Sequence, residues 1–298
     1  MRAEVLHGAQ TEIGDLPLDR ARVMGILNVT SDSFSDGGQF IKPDAAIRQA
    51  GLMLDEGADI IDVGGESTRP GAEEVTLQEE LDRVIPVIQK VVAELGARVS
   101  VDTSKPEVMR EAVSAGALMI NDVRALTEPG ALEIAVDAAR QKGIAICLMH
   151  MQGSPENMQE NPHYTNVVRE VKDFLVKRCQ TASDAGIEKK QLIVDPGFGF
   201  GKTTQHNLQL LNNLDRLCES GFAVLAGLSR KRMFAEILGV TESGQPVPYD
   251  GTRLHASVAA AQIAVARGAR IVRVHDVGPT VHALKVLRST EYTATENA

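Results

Sequence analysis

The chain has 298 residues, of which 43% are hydrophobic and 24% charged, and its formal net charge is −9. This composition excludes a disordered chain, and the negative charge disfavours binding to nucleic acid or to an anionic membrane. Residues 1–15 lack the pattern of a signal peptide, and no apolar stretch has the length of a membrane span. Cys147, Cys179 and Cys218 form no C-x-x-C pair. We therefore expect a cytoplasmic protein with reduced thiols that acts on small molecules.

Eight short runs typical of β-strands recur along the sequence, and most are continuously apolar rather than alternating. Continuous apolar runs are typical of parallel strands that are covered on both faces. The runs are residues 23–29, 60–63, 98–102, 118–122, 144–149, 191–195, 222–227 and 270–275. The sequence therefore predicts a parallel sheet of eight strands.

Helical patterns follow each of these strands. They cover residues 43–56, 76–95, a segment from 104, 130–142, 167–185, 205–219, 231–238, 253–267 and 279–287. Thr76 with Glu79 has the spacing of a capping box, and Ser104 with Glu107 repeats that spacing. Eight strand-then-helix units predict an α/β fold, the (β/α)8 TIM barrel, in one domain. The competing open sheet usually has a glycine-rich phosphate loop after its first strand, and none follows Val29.

The barrel is predicted to occupy residues 21–288. Residues 1–20 form a lead-in, for which one option is a small hairpin that closes the bottom of the barrel. Residues 289–298 are polar and are predicted to be a disordered tail.

Polar or ionisable residues end the predicted strands. They are Asn28, Asp62, Asp102, Asn121 with Asp122, His150 after Met149, Asp195, Ser229–Lys231, and Arg273 with His275. Any one of them can be explained as a helix cap or a turn residue. In a parallel barrel, however, all of these positions converge on one mouth, where barrel enzymes carry their chemistry. We therefore predict the active site there.

The segment Gly197–Thr203 (GFGFGKT) is similar to a nucleotide phosphate loop but does not match its spacing. The motif would require glycine at Pro196. We predict instead a tight turn that presents Phe198 or Phe200 to the mouth. The seven histidines show no spacing suited to zinc.

Eight short motifs together resemble the dihydropteroate synthase family. They are NVTSDSFSDGG (28–38), DVGGESTRPG (62–71), VDTSKP (101–106), NDV (121–123), LMHMQG (148–153), DPGFGFGK (195–202), SRK (229–231) and RVHDV (273–277). The match runs in order from about Arg22 to Arg288. It implies a TIM barrel that joins 6-hydroxymethyl-7,8-dihydropterin pyrophosphate to p-aminobenzoate. It also implies Mg²⁺ as cofactor and a homodimer.

The resemblance implies roles for the matched residues. The pterin would be bound by Asp102, Asn121, Val123, Met149, Asp195, Phe200, Gly227 and Lys231. The diphosphate would be bound by Asn28, Thr68, Arg69, Arg273 and His275, with Asn28 also the Mg²⁺ ligand. The p-aminobenzoate would be bound by Phe34, Arg69, Pro70, Lys231 and Arg232. The catalytic residues would be Asp102, Asp195, Lys231, Arg273 and His275. One departure is Arg232, because some members carry Ser directly after SRK.

Two other functions remain as alternatives. A pterin-barrel methyltransferase that uses methyltetrahydrofolate would share the barrel and the Asp/Asn pterin contacts, but it would lack NVTSDSFSDGG, SRK and RVHDV. A non-catalytic pterin-binding relative would be expected to have lost Asn28, Arg69, Lys231 or His275. All of these motifs and residues are present here.

Overall fold

The computed structural model describes residues 10, 12–13, 16–30, 43–67, 75–154, 157–242, 245–246 and 251–295. The strands in chain order are β1 (Glu12–Ile13), β2 (Leu16–Pro17), β3 (Arg22–Asn28), β4 (Ile60–Gly64), β5 (Val99–Asp102), β6 (Met119–Asp122), β7 (Ala145–Met149), β8 (Leu192–Asp195), β9 (Ala223–Ala226), β10 (Thr241–Glu242), β11 (Gln245–Pro246) and β12 (Ile271–Val274). Eight parallel strands close into a barrel in the order β12-β3-β4-β5-β6-β7-β8-β9. The predicted TIM barrel is confirmed.

Helices alternate with these strands. They are α1 (Pro43–Asp55), α2 (Leu77–Leu95), α3 (Pro106–Ser114), α4 (Ala131–Lys142), α5 (Val167–Ala185), α6 (Thr204–Asn212), α7 (Leu214–Cys218), α8 (Arg232–Ile237), α9 (Leu254–Ala266) and α10 (Val277–Thr295). The helix predicted over 205–219 is divided at Asn213 into α6 and α7. Within the described ranges, every helix is too short or too polar to cross a bilayer.

The main core lies between the outer face of the barrel and the helices. Val63 and Val101 on neighbouring strands are fully buried, as are Val84 and Ile88 on α2. The strands therefore bury apolar residues on their outer face as well as their lower inner face. This is why their sequences read as continuous apolar runs.

The capping box at the start of α2 is confirmed. The Thr76 hydroxyl accepts a hydrogen bond from the Glu79 N–H at 3.3 Å, and the Glu79 carboxylate accepts one from the Thr76 N–H at 2.9 Å. The helix ends at Gly96, whose φ of 61° is the left-handed conformation that suits a C-terminal glycine. Local sequence thus sets both ends of this helix.

The second predicted capping box is wrong. Helix α3 begins after Lys105, and no side chain caps its first turn. The Ser104 hydroxyl instead donates to Asp122 Oδ1 at 2.5 Å. A hydrogen bond to a charged carboxylate is stronger than one between two neutral groups. Ser104, which follows β5, therefore bonds to Asp122 at the end of β6 and does not cap α3.

The lead-in segment contains an antiparallel hairpin. Strands β1 and β2 pair with Glu12 opposite Pro17 and Ile13 opposite Leu16. Ile13, Leu16 and Leu18 are buried in a cluster with inward-facing residues at the amino ends of the barrel strands, among them Met24 and Ile271. The hairpin therefore closes the bottom of the barrel with apolar side chains.

Ionic contacts attach the segment that joins the hairpin to β3. The Arg20 Nη1 donates to Asp59 Oδ2 at 3.0 Å, and the Arg22 Nη1 donates to Asp59 Oδ1 at 3.2 Å. The Arg22 Nε donates to the Pro17 carbonyl at 2.7 Å. The hairpin is held by this cluster as well as by apolar packing.

The last helix is longer than the sequence pattern indicates. Helix α10 continues to Thr295, although residues 289–298 are predicted to be a polar tail. Residues 289–295 contain no Gly or Pro that would end the helix. The polar composition of this segment is compatible with a helix that continues past the end of the barrel.

We predict that Leu16→Ala lowers the free energy of unfolding by about 2–4 kcal/mol, because it removes a buried side chain from the bottom cluster. Chemical denaturation would measure the loss. The matched control is Glu12→Ala, which changes an exposed residue of the same hairpin. Equal stability of the two variants would show that the hairpin does not support the barrel.

Candidate active site

The polar side chains inside the barrel follow one pattern on alternate strands. On β4, β6, β8 and β12, an apolar residue of the bottom cluster is followed two positions later by a polar residue. The pairs are Ile60 and Asp62, Met119 and Asn121, Ile193 and Asp195, and Ile271 and Arg273. Side chains two positions apart on a strand point to the same face. The four polar residues therefore form a layer directly above the apolar one.

Arg273 lies between two carboxylates in this polar layer. Its Nε donates to Asp62 Oδ2 at 2.5 Å, and its Nη2 donates to Asp102 Oδ2 at 2.7 Å. The same Asp62 oxygen accepts a hydrogen bond from Asn121 Nδ2 at 3.2 Å. The Asp62 side chain is fully buried, while those of Asp102 and Arg273 are 14% and 19% exposed. One charged network thus joins β4, β5, β6 and β12.

The two carboxylates share a single guanidinium, and this affects their titration. Burial raises the pKa of Asp102 to about 7; the charge of Arg273 opposes this rise, and the charge of Asp62 adds to it. Burial by itself would lower the pKa of Arg273, but the charges of Asp62 and Asp102 raise it above its ordinary value. Arg273 therefore stays protonated, and the net charge of the layer changes near neutral pH through Asp102.

Asp195 at the end of β8 and Lys231 before α8 lie close enough at the mouth for their charges to interact. The Asp195 Oδ1 accepts a hydrogen bond from the Gly197 N–H at 2.7 Å. Burial raises the pKa of Asp195, while the Gly197 N–H and then the charge of Lys231 oppose the rise. Burial lowers the pKa of Lys231 to about 8, against the charge of Asp195. The Lys231 Nζ lies 4.3 Å from the centre of the Phe200 ring, a cation–π distance.

The turn after β8 is fixed by a buried lysine. The Lys202 Nζ donates to the Phe200 carbonyl at 2.9 Å and lies 3.0 Å from His150 Nδ1. Burial lowers the pKa of Lys202 to about 7 and that of His150 to about 3, so the imidazole is neutral and its Nδ1 can accept. A Cβ at Gly197 would stand 1.9 Å from the His150 carbonyl oxygen, so only glycine fits there. The turn places Phe200 under Lys231, whereas Phe198 is buried in the core.

A cavity of about 200 Å³ opens beside the end of β3 and is lined by Asn28, His275 and Arg230, among others. The Ser229 hydroxyl accepts from the His275 N–H at 3.1 Å and lies 3.0 Å from His275 Nδ1. The Arg230 side chain is held by Asp276, with Nε–Oδ2 and Nη2–Oδ1 distances of 3.1 and 2.6 Å. The cavity thus presents an amide and an imidazole at the rim, suited to an anionic group.

The structure brings most of the predicted ligand residues to one mouth. Asp102, Asn121, Asp195, Lys231 and Arg273 lie in or directly above the polar layer. Gly227 stands next to Asp195, because a Cβ there would be 3.8 Å from Asp195 Oδ2. Asn28 and His275 line the adjacent cavity.

The remaining predicted residues are more peripheral or lie outside the described part of the chain. Met149 ends β7 and lies against the turn, since a Cβ at Gly197 would be 3.3 Å from its Cγ. Val123 is half-buried directly after β6. Arg232 begins α8 and pairs with Glu236 at 3.0 Å. Phe34, Thr68, Arg69 and Pro70 fall outside the described residues.

Some polar residues at or after the strand ends hold neighbouring residues in place. Asp62 and Lys202 had no predicted ligand role, yet they fix Arg273 and the Phe200 turn. In the sequence, Asp62 is one of the polar residues at the predicted strand ends and opens DVGGESTRPG, and Lys202 ends DPGFGFGK, but neither pattern indicates which residue it contacts. Asp122 is structural, since its oxygens accept from the backbone N–H groups of Arg124 and Leu126 at 2.8 and 2.7 Å.

The sequence and fold place this site in a known family. The profile of the pterin-binding enzymes matches residues 24–275, which include every strand of the barrel but for the first residues of β3. The chain therefore belongs to the pterin-binding enzyme family.

Within this family, the similar proteins are dihydropteroate synthases. The enzyme of Haemophilus influenzae is 53% identical over 275 residues, which are 92% of this chain and 96% of that protein. A solved structure of the Xanthomonas albilineans enzyme with 4-aminobenzoic acid has a TM-score of 0.84 and 52% identity, covering 93% of this chain and 95% of that one. A second structure, of the same enzyme with 7,8-dihydropteroate, has a TM-score of 0.81 and 50% identity over the same shares.

We predict that Asp102→Asn gains stability relative to wild type as the pH is raised from 4 to 8. The pKa of Asp102 is about 7 in the folded protein against an ordinary 3.8. Its stabilising contribution is therefore complete below about pH 4 and is lost as pH rises through 7. Because Asn does not ionise, the difference in Tm should grow from pH 4 to 7 and then level off.

Thermal unfolding between pH 4 and 8 would measure this difference. Asp173→Asn is the matched control, because Asp173 is exposed and the change should leave Tm unaltered. A Tm difference for Asp102→Asn that is independent of pH would contradict the prediction.

Proposed function

We propose that the chain condenses 6-hydroxymethyl-7,8-dihydropterin pyrophosphate with p-aminobenzoate to give 7,8-dihydropteroate and pyrophosphate. This is the dihydropteroate synthase reaction of folate biosynthesis, and it makes the chain a transferase. The observation that carries the proposal is the set of Asp102, Asn121, Asp195 and Lys231 at one mouth, in a chain 53% identical to a dihydropteroate synthase over most of its length.

The pterin fits the hydrogen-bonding groups of the mouth. Its 2-amino group and ring N–H form a row of donors, which a carboxylate can accept in pairs. Asp195 would take that row, because the missing side chain of Gly227 leaves its Oδ2 accessible. Asp102 would accept a ring N–H further round. Lys231 would donate to the acceptor side of the ring.

The remaining pterin contacts complete the recognition. Asn121 would present its amide to the mixed donor and acceptor positions of the pterin. The ring faces would meet the apolar side chains of Val123, Met149 and Phe200. Buried groups that are satisfied only by the correct ligand discriminate strongly against ligands that leave them unpaired.

The leaving diphosphate would lie toward the cavity at the rim. Arg273 supplies a fixed positive charge, and His275 is oriented by its two contacts with Ser229. Thr68 and Arg69, expected to bind the same group, remain part of the proposal. Preorganised donors of this kind stabilise the charge that develops on a leaving group.

The residues at the rim fit Mg²⁺ bound together with the diphosphate. Asn28 offers one amide oxygen on the cavity wall, and among the described residues no three His, Cys, Asp or Glu side chains are grouped to enclose a metal. Mg²⁺ often has one or two protein ligands and takes the others from water and phosphate. Asn28 would hold it, and when bound the ion would neutralise charge on the diphosphate.

The charge of the interior favours departure of the diphosphate before the amine attacks. In the network of the polar layer, the two carboxylates of Asp62 and Asp102 share one cation, that of Arg273. When the carboxylates are ionised, this excess of negative charge stabilises positive charge on the pterin methylene group. No covalent link to the protein is needed, because p-aminobenzoate captures that carbon directly.

The p-aminobenzoate would bind nearer to solvent. Lys231 precedes the first residue of α8, Arg232, whose side chain is 46% exposed. Both cations could attract the carboxylate of p-aminobenzoate, and Phe34, Arg69 and Pro70 would complete the pocket. Where some relatives carry Ser, Arg232 would provide a charged contact at the rim.

A cytoplasmic homodimer is also part of the proposal. Cys147, Cys179 and Cys218 are free thiols, as is usual in a reducing compartment. On the paired helices α9 and α10, Ile263 and Val286 are 45% and 64% exposed. Such exposed aliphatic residues are compatible with contact to a second copy.

The proposal is tested by pyrophosphate release from the dihydropterin pyrophosphate with Mg²⁺, in the presence and absence of p-aminobenzoate. We expect release that rises strongly with p-aminobenzoate and yields 7,8-dihydropteroate. Pterin binding without release would instead support a methyltransferase or a non-catalytic relative.

We predict that Arg273→Ala lowers kcat by about 100- to 1,000-fold, since it removes the fixed cation beside the leaving group. The matched variant Arg273→Lys keeps the charge but cannot contact Asp62 and Asp102 along one planar edge. Its kcat should fall between those of Arg273→Ala and wild type. Wild-type turnover of Arg273→Ala would remove Arg273 from the mechanism.

A further inference from the structure

We propose that Asp62 is the positioning residue of the pterin site, fixing the guanidinium of Arg273 and the amide of Asn121 without touching the substrate. The proposal deepens the proposed function and rests on it. Asp62 lies in the same layer as Arg273 and Asn121, its side chain is fully buried, and one of its oxygens contacts both residues.

Asp62 fixes the plane of the Arg273 guanidinium. Its Nε and Nη2 belong to the same planar edge, and they donate to Asp62 and Asp102 respectively. Two anchors on one edge leave the plane no freedom to rotate. With Asp102 as the only anchor, the group could turn about that single hydrogen bond. Asp62 therefore sets the direction of the remaining N–H groups.

Asp62 also fixes the orientation of the Asn121 amide. An ionised carboxylate only accepts hydrogen bonds, so the Asn121 Nδ2 must face Asp62 and the Oδ1 must face away. The amide is thereby held in one of its two flipped orientations. The orientation decides whether the pterin meets an acceptor or a donor, so Asp62 contributes to specificity through a residue it contacts.

Asp62 also acts on Asp102 through its charge. Charged groups around Asp102 come from every neighbouring element: Asp62 on β4, Glu80 on α2, Asp122 on β6, Lys231 before α8 and Arg273 on β12. Asp62 is the carboxylate that shares Arg273 with Asp102, and its charge opposes ionisation of Asp102. Removal of that charge therefore favours the ionised form of Asp102, which is the form that accepts the pterin N–H.

Asp62→Asn is suited to test this role. The amide has nearly the same shape as the carboxylate, and it leaves Asp102 as the one carboxylate paired with Arg273 in the network. The variant should therefore fold. Asp62→Ser is a second neutral variant that cannot overpack the interior. Both remove the charge, and both weaken the hold on Arg273.

The experiment measures kcat and KM for each substrate across pH, together with binding of 6-hydroxymethylpterin by calorimetry. For Asp62→Asn we expect kcat/KM for the pterin substrate to fall ~10- to 100-fold at the optimum, as for other residues that orient a ligand-binding group. The acid limb of the profile should move to lower pH by about one unit. KM for p-aminobenzoate should stay within about twofold, because those contacts lie nearer the rim.

Ser100→Ala is the matched control. Ser100 is the register partner of Asp62 on β5, is fully buried, and has no hydrogen-bond partner for its Oγ among the described residues. It has no contact with Arg273 in the network. This variant should keep the wild-type pH profile and pterin affinity.

The outcomes separate this inference from the proposed function. If wild type releases pyrophosphate and the Asp62 variants lose activity equally at all pH values, or keep wild-type pterin affinity, Asp62 is not a positioning residue. If wild type neither binds 6-hydroxymethylpterin nor releases pyrophosphate, the proposed function itself fails. A shifted acid limb with weaker pterin binding supports the inference.

Discussion

One guanidinium between two buried carboxylates is the interaction on which the mouth of this barrel depends. Arg273 on β12 joins Asp62 on β4 to Asp102 on β5, and Asn121 on β6 completes the group. Buried charges are stable only when they are paired, so the positions of these four strand ends are linked. Because two carboxylates share one guanidinium, the group has one negative charge in excess. This charge is available to a ligand that carries hydrogen-bond donors or develops positive charge.

The excess of buried carboxylates at the mouth lowers the stability of the protein, and packing elsewhere in the fold offsets this loss. Asp102 and Asp195 are held where their ionised forms are disfavoured, and Lys202 is buried against two carbonyls and a neutral imidazole. Stabilising contacts lie elsewhere, in the apolar layer between barrel and helices and in the bottom cluster. The polar interior is thus confined to the upper layers of the barrel.

The fold could be predicted because parallel strands buried on both faces have continuous apolar sequences. Once these strands were assigned, the polar residues at their ends could be read directly from the sequence. The contact between Arg273 and Asp62 could not be predicted, since they are 211 residues apart and meet only when the barrel closes. Ser104 has the spacing of a cap, but the acceptor that it bonds, Asp122, comes from the next strand. Helix α10 passes position 289 because nothing in that segment stops it.

The hairpin at the bottom of the barrel has a kinetic consequence. Ile13, Leu16 and Leu18 pack against the inward-facing residues at the amino ends of the strands, so in the described part of the chain that end of the barrel is closed. Under the proposed function, the pterin contacts Asp102 and Asn121, and p-aminobenzoate lies nearer the rim beside Arg232, whose side chain is exposed. The joined product, which spans both depths, must leave by the same route. On these proposed positions, the closed floor favours entry of the pterin before p-aminobenzoate.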